Sequence, residues 1–219
     1  NGWMLCYAIP EQAAQQSYNF IEDYEISFMI VFIVLVTLLI LYIVYENHTR
    51  NKELLKYAQT DALTGLYNKE TTEQLTDELL SEDENKYHAF LILDVDCFKQ
   101  INDIYGHAVG DIVLQKFGKL LKGTFREGDI LGRIGGDEFG VIMKNIQTKD
   151  IAMKKAEELL AKTQAYKIDE LKGNNISISI GISTAPQDGD CYMDLYKRAD
   201  QALYQAKRSG KARVCNYFS

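Results

Sequence analysis

The feature that most constrains this chain is a long uncharged segment near its N-terminus. Residues 26–45, ISFMIVFIVLVTLLILYIVY, contain no charged side chain. A helix over this segment would be about 30 Å long at about 1.5 Å per residue, which matches the hydrocarbon core of a bilayer. A buried core helix can look similar, but a stretch that is apolar all round argues against it. A cleaved signal peptide would be shorter and would follow basic residues. The segment predicts a transmembrane helix.

Basic residues lie on only one side of this segment. The first 25 residues contain no Lys or Arg, whereas Arg50, Lys52 and Lys56 follow the segment closely. Basic residues are enriched on the cytoplasmic side of a membrane, so we expect the C-terminal part to be cytoplasmic and the chain to cross the inner (cytoplasmic) membrane once. The chain begins at Asn1 rather than Met. We therefore expect it to be part of a longer protein whose preceding part lay outside the membrane.

Length and charge limit what the remaining residues can do. A chain of 219 residues allows one domain of ordinary size plus additional segments. Its net charge of −7 argues against binding a polyanion by bulk charge, so we expect no nucleic-acid partner. A bound nucleotide would have to be held locally, by a metal ion or a few cations. The four cysteines lack the spacing of a zinc site or a disulfide framework.

The segments flanking the apolar stretch are short. Residues 1–25 predict a strand ended by Pro10 and the start of a helix, and we expect them to be an extracytoplasmic remnant. About ten of these residues resemble the last strand of Cache-type extracellular sensors. Residues 46–60 predict a linker or signalling helix that could pair with a second copy, although they span fewer than three heptads. The globular domain is expected to cover residues 61–219.

The globular part alternates strands and helices in the order βααββαβαβ. This order predicts an α+β domain, with an antiparallel-containing sheet flanked by helices. Between two short strands, Gly135 and Gly136 predict a two-residue hairpin turn with positive φ angles. The predicted helices cover residues 69–81, 98–105, 110–124, 148–165 and 192–208.

Acidic residues occur at two points that such a sheet could bring together. Asp94 and Asp96 end the apolar strand HAFLILDV, and an extended strand would direct both side chains to one face. Asp137 and Glu138 follow the glycine pair. A helix cap and a solvated hairpin tip are the simpler interpretations. If the strands are neighbours, however, four carboxylates meet, and hard oxygen ligands of this kind suit Mg²⁺, with Mn²⁺ as a second candidate.

The chain contains the motifs GGDEF at 135–139 and DVDCFKQINDIYGHAVGD at 94–111. These motifs resemble those of the GGDEF family of diguanylate cyclases. The resemblance extends from DALTGLYN at 61–68 to RADQALYQAKRSGK at 198–211, about three quarters of the chain. It implies a palm-like fold related to nucleotide cyclases and to ferredoxin-like domains. It also implies that two GTP molecules are condensed into cyclic di-GMP, with release of two pyrophosphates.

The resemblance also assigns roles to individual residues. It implies metal ligands at Asp94, Asp137 and the backbone carbonyl of Val95, with Asp96 and Glu138 as alternate or supporting ligands. Contacts to the guanine base are implied at Asn102 and Asp111, whereas His107, which the family places near the nucleotide, is more typical of a structural hydrogen-bonding residue. The distal phosphates would be bound by Lys207 and Lys211, which we expect one helical turn apart. Lys211 stands where the family often has Arg, so it keeps the charge but lacks the bidentate fork.

The family reaction implies partners and a proton acceptor. The 3′-hydroxyl of one GTP attacks the α-phosphate of another, and a carboxylate, Asp137 or Glu138, could take the hydroxyl proton. Each domain resembles a half-site for one GTP, so the reaction implies a homodimer.

A further motif, REGD at 126–129, matches the inhibitory product site of the family. There Arg126 would hold a phosphate or stack on guanine, and Asp129 would accept from the base edge. An ordinary surface ion pair is the alternative interpretation. Two other functions stay open: a catalytically silent receptor that binds cyclic di-GMP, and another palm-type enzyme, which the residue types at Asn102 and Asp111 disfavour.

Overall fold

The computed structural model describes residues 10–82 and 86–217. For residues 11–23 and 48–58 it describes the backbone only. The strand predicted within residues 1–10 lies, apart from Pro10, outside the described residues. The chain divides into two compact units, Asn1–Leu55 and Lys56–Ser219. The expected segment boundaries at residues 25, 45 and 60 stay predictions.

Helix α1 extends from Glu11 to Gln59. Within it, Tyr24–Asn47 is long and apolar enough to cross a membrane, by length and composition. The large apolar side chains of this segment are exposed rather than packed in a core. The hydroxyl of Thr37 donates back to the carbonyls of Ile33 and Val34, so this polar group is satisfied within the helix itself.

The second unit is built on a five-stranded sheet. Its strands are β1 (His88–Val95), β2 (Ile130–Arg133), β3 (Glu138–Met143), β4 (Ile178–Ala185) and β5 (Val214–Asn216). Their order is β2-β3-β1-β4-β5. Only the pairing of β4 with β5 is parallel among these strands. Helices alternate with the strands, so the predicted element order and the α+β class are confirmed.

Five α-helices follow the predicted spans closely. They are α2 (Lys69–Glu82), α3 (Phe98–Tyr105), α4 (His107–Thr124), α5 (Lys149–Ala165) and α6 (Tyr192–Arg208), with a 3₁₀ turn at Asp169–Leu171. Helix α4 begins three residues earlier than predicted. Gly106, at φ 86°, separates it from α3 because glycine adopts this conformation without steric cost.

The sheet separates two apolar layers. Leu91 and Leu93 of β1 belong to the layer that contains Phe117 of α4, whereas Phe90 and Ile92 belong to the layer of α6. Side chains alternate between faces along a strand. Asp94 therefore continues the series that faces α6.

Glycine allows α6 to approach the sheet closely. Gly181 of β4 lies directly beneath α6, and a Cβ at this position would overlap the carbonyl oxygen of Ala199 and the amide nitrogen of Leu203. Gly132 of β2 lies similarly close to the side chain of Thr72 in α2. Both helices therefore occupy the space that a side chain at these sheet positions would need.

Candidate active site

The end of β1 and the turn before β3 lie side by side. Asp94 is the cross-strand partner of Glu138 in the antiparallel pairing of β1 with β3. The amide of Val95 donates to the carbonyl oxygen of Asp137 at 3.2 Å. The structure thus brings Asp94 next to Asp137 and Glu138, as the acidic motifs predict.

The turn itself differs from the predicted two-residue hairpin. It is closed by the amides of Ile134 and Gly135, which donate to the carbonyl of Glu138 at 3.0 and 3.2 Å. Neither Gly135 nor Gly136 has a positive φ, so that prediction is wrong. Glycine at 135 leaves room for the Glu138 side chain, because a Cβ there would lie 2.9 Å from its Oε2 and 3.2 Å from its Cβ, so that Glu138 would have to shift.

Burial and repulsion act on these carboxyl groups. Asp94 is only 7% exposed, and burial raises its pKa, as do the charges of Asp137 and Asp96, against the opposing effect of Lys207. Burial also raises the pKa of Glu138, and the charge of Asp94 adds to the shift. A cation would relieve this repulsion. Carboxylate and carbonyl oxygens are hard ligands, so the residues present fit Mg²⁺ or Mn²⁺.

Lys207 supplies positive charge at this point. Its Nζ lies 2.6 Å from Oδ2 of Asp94. Three possible metal-ligand atoms within 4.8 Å of one another would mark a preformed metal site. Among the residues that the structure describes, only Asp190, Cys191 and Asp194 meet this condition, and they lie at the opposite end of α6. Asp94, Asp137 and Glu138 are therefore neighbours that do not form so tight a group, and one oxygen of Asp94 is bound by the lysine.

Asp96 lies on the same side of the sheet as Asp94, as predicted, although it comes just after the strand. Strand β1 ends at Val95, and the next residues turn, with Cys97 at φ 58°. The Asp96 carboxylate accepts from Ser179 Oγ at 2.7 Å, from Ser177 Oγ at 2.6 Å and from the amide of Ala212 at 3.1 Å. Ser179 is the cross-strand partner of Asp94, so its side chain and the carboxylate to which it donates lie on the Asp94 side of the sheet.

The prediction that Lys207 and Lys211 lie one turn apart on a helix is wrong. Helix α6 ends at Arg208, and Lys211 lies beyond it with φ 61°. Its Nζ is nevertheless 3.1 Å from Sγ of Cys97, directly after the end of β1. Both lysines therefore reach the same end of β1 by different backbone routes.

The predicted guanine-binding residues lie on α3 and α4. The Oδ1 atom of Asn102 is buried, has no hydrogen-bond partner among the described residues, and packs against Gly110 so closely that a Cβ there would overlap it. Asp111 and His107 are exposed on the first turns of α4. Asn102 thus lies beside Gly110, the residue that precedes Asp111, although the two residues belong to consecutive helices.

The predicted inhibitory residues Arg126 and Asp129 are already paired. Asp129 is buried and accepts from the amides of Arg126 and Lys144, both at 3.1 Å. The Arg126 side chain is 64% exposed and donates to Asp129 at 3.4 Å and to the carbonyl of Lys144 at 2.8 Å. Asp129 therefore also stabilises the local fold, whereas Arg126 is accessible to a ligand.

Comparison with known proteins shows the family. The model of the diguanylate cyclase GGDEF domain matches residues 58–213. The chain belongs to the GGDEF family. It is 37% identical over 170 residues to diguanylate cyclase A of Treponema denticola, covering 75% of this chain and 46% of that protein. The chain spans about half or less of the length of three curated relatives that it matches, at 46%, 52% and 39%.

Solved structures of GGDEF domains are also similar. The isolated GGDEF domain of TpbB (YfiN) from Pseudomonas aeruginosa has 33% sequence identity and a TM-score of 0.69, over 73% of this chain and 94% of that one. The GGDEF domain of DgcB from Caulobacter crescentus, in complex with c-di-GMP, has 27% identity and a TM-score of 0.68, over 74% of this chain and 94% of that one.

Sequence reasoning gave no role to two residues that organise the turn of this GGDEF domain. Arg133 donates to the carbonyl of Gly136 at 2.7 and 3.2 Å and to both carboxylate oxygens of Asp61 at 3.1 and 3.3 Å. Burial alone would raise the pKa of Asp61, but hydrogen bonds from Thr64 and the charge of Arg133 hold it below its usual value. In the sequence, Arg133 is a basic residue two positions before the glycine pair. This closeness to the acidic turn is the signal from which its role could have been predicted.

The same segment joins the end of α1 to the turn. The amide of Asn68 donates to the carbonyl of Gln59 at 2.9 Å, and Thr60 forms an isolated bridge with Tyr67. The amide of Arg133 donates to the carbonyl of Tyr67 at 2.8 Å. Residues 59–68 therefore attach directly to the strand that leads into the acidic turn.

Proposed function

We propose that this chain is a diguanylate cyclase that condenses two GTP molecules into cyclic di-GMP and releases two pyrophosphates. The observation that carries this proposal is the placement of Asp94 beside the Asp137–Glu138 turn, with Lys207 at 2.6 Å from Asp94. Membership of the GGDEF family and the similarity to named diguanylate cyclases support it.

Different residues of the chain bind the base, bind the phosphates and accept the proton. Asn102 and Asp111 bind the guanine base, His107 lies near the nucleotide, and Lys207 and Lys211 bind the distal phosphates. A new bond forms between the 3′-oxygen of one GTP and the α-phosphorus of the other, and the bond to pyrophosphate breaks. The hydroxyl proton passes to a carboxylate, Asp137 or Glu138.

A divalent ion completes this proposal. GGDEF diguanylate cyclases generally depend on a divalent metal. Asp94, Asp137 and the carbonyl of Val95 would hold Mg²⁺ or Mn²⁺ here. Such an ion neutralises phosphate charge and lowers the pKa of the attacking hydroxyl.

The proposal extends to assembly and location. One domain offers ligands for one GTP, so a homodimer is required for the two-fold product. The segment Tyr24–Asn47 would anchor the chain in the inner membrane with a single pass and leave the GGDEF domain in the cytoplasm. An extracytoplasmic signal would then act by changing how two copies pair.

Product inhibition is the regulatory part of the proposal. Cyclic di-GMP would bind at Arg126, whose guanidinium is exposed and suits a phosphate, with Asp129 beside it. Because Asp129 already accepts two backbone amides, its remaining capacity is small, and Arg126 is expected to contribute most of the binding.

The test is turnover by the whole chain in detergent micelles with GTP and Mg²⁺, following cyclic di-GMP and pyrophosphate together. The variant Asp137→Asn should lose at least about a hundredfold in turnover, about 3 kcal/mol of transition-state stabilisation. The control Asp150→Asn, an exposed carboxylate on α5, should leave turnover unchanged. A dimeric wild-type chain that binds cyclic di-GMP without turnover would instead identify a silent receptor.

A further inference from the structure

The proposed chemistry leaves one buried acidic residue at the site without a role. Asp96 follows β1 and is 7% exposed. Its Oδ1 accepts from Ser179, and its Oδ2 accepts from Ser177 and from the amide of Ala212. A carboxylate has about four lone-pair positions, and three of them are filled by donors from β4 and from the chain beyond α6. Asp96 is therefore fixed by protein donors and has little capacity left for a metal.

The chain beyond α6 needs such support. In the α6–β5 loop, residues 209–213, Lys211 and Ala212 have φ angles of 61° and 49°. Non-glycine residues rarely adopt this left-handed conformation, and they persist in it only where surrounding contacts hold them. The amide of Lys211 donates to the carbonyl of Ala206, at the end of α6. The amide of Ala212 donates to Asp96, across the site.

The same loop carries a cation to the end of β1. The Lys211 ammonium lies 3.1 Å from Sγ of Cys97, the residue after Asp96. We propose that Asp96 is a positioning residue: its carboxylate holds the α6–β5 loop so that Lys211 stands at the phosphate side of the site. Asp96 acts through Lys211 and does not itself touch the nucleotide. This inference rests on the proposed function, because it assumes a nucleoside triphosphate at this site.

A double-mutant cycle tests the coupling between Asp96 and Lys211. The measured quantity is the affinity of the whole chain, in detergent micelles with Mg²⁺, for 3′-deoxy-GTP, which lacks the attacking hydroxyl and is not turned over. Asp96→Asn should weaken binding about tenfold, the loss expected for one charge-assisted contact. In the Lys211→Met background the same substitution should weaken binding by less than about twofold. An equal loss in both backgrounds overturns the proposal.

Serine variants separate positioning from general damage to the sheet. Ser179→Ala removes a donor to Asp96 and should weaken binding in the wild-type background but not in the Lys211→Met background. Ser183→Ala is the matched control, since Ser183 is also buried on β4 but donates to the carbonyl of Leu195. Equal effects of the two serine variants on affinity overturn the proposal. If Asp96→Asn does not fold, Ser177→Ala and Ser179→Ala carry the comparison with the carboxylate in place.

Three further outcomes are decisive. If a tenfold increase in Mg²⁺ restores the affinity of Asp96→Asn, Asp96 is a metal ligand and the proposal fails. A wild-type chain that binds 3′-deoxy-GTP but makes no cyclic di-GMP from GTP refutes the proposed reaction, while the positioning role is still decided by the cycle. A wild-type chain that does not bind 3′-deoxy-GTP overturns both.

Discussion

The contact between α6 and the sheet at Gly181 gives the sharpest test of the architecture. In the variant Gly181→Ala, the new Cβ would overlap the carbonyl oxygen of Ala199 and the amide nitrogen of Leu203. These are backbone atoms, so they cannot rotate away as a side chain can. Restoring ordinary contact requires α6 to move outward by about 1 Å. Overpacking of this kind costs about 1–3 kcal/mol, and we expect about 3 kcal/mol because two backbone atoms are involved.

The displacement of α6 should also reach the site. Lys207 lies in the last turn of α6, with its Nζ at 2.6 Å from Asp94. An outward shift of about 1 Å would lengthen this contact beyond the usual distance of a charge-assisted hydrogen bond, so the contact should weaken. We therefore expect Gly181→Ala to lower turnover as well as stability.

Thermal unfolding of the whole chain in detergent, followed by near-ultraviolet circular dichroism, measures the effect. A loss of about 3 kcal/mol corresponds to a decrease in Tm of about 6–12 °C. The control is Gly123→Ala, on the exposed side of α4, where a Cβ meets nothing within 4 Å. It should raise stability by about 0.5–1 kcal/mol, as alanine is the better helix former. An unchanged Tm for Gly181→Ala would refute the close packing of α6 on β4.

Three further predictions concern charged residues. Arg133→Ala should lower the free energy of unfolding by about 1–3 kcal/mol, because it removes the cation from half-buried Asp61, which keeps only its Thr64 donors, and removes the side-chain donor to the carbonyl of Gly136. Arg133→Lys should recover only part of this loss in urea unfolding. Because the pKa of Asp61 is lowered in the folded state, its carboxylate stabilises the fold at pH values above 3.8, its ordinary pKa, and this contribution is lost as the pH falls below that value. The difference in unfolding free energy between wild type and Asp61→Asn should therefore shrink as the pH falls below 3.8. A difference that stays constant would contradict the pairing. Arg126→Ala should relieve inhibition by added cyclic di-GMP at least about tenfold with little change in Tm, and undiminished inhibition would exclude the site.

The sequence predicts much of the fold because its local patterns are strong. The apolar strand that ends at Asp94 and the apolar runs around the glycine pair specify β1 and the β2–β3 hairpin. Once those strands pair antiparallel, Asp94 and Glu138 must become neighbours. The order of elements and most helix ends follow from the same periodicities.

The remaining details depend on contacts between distant parts of the chain. The Asp96 carboxylate is held by Ser177 and Ser179, about eighty positions later in the chain. Lys211 reaches the site by a left-handed loop rather than a helical turn. Gly135 lacks a positive φ and instead lies against the Glu138 side chain. No local pattern encodes these arrangements, since each depends on a partner set by the tertiary fold.

The attachment of residues 59–68 to Arg133 has a mechanical consequence. Asp61, the residue after Thr60, is bound by the guanidinium that also donates to the carbonyl of Gly136. Arg133 belongs to β2, the edge strand of the sheet. An input delivered where the chain enters the domain would therefore act on the glycine bend through one guanidinium, without first rearranging the two apolar layers.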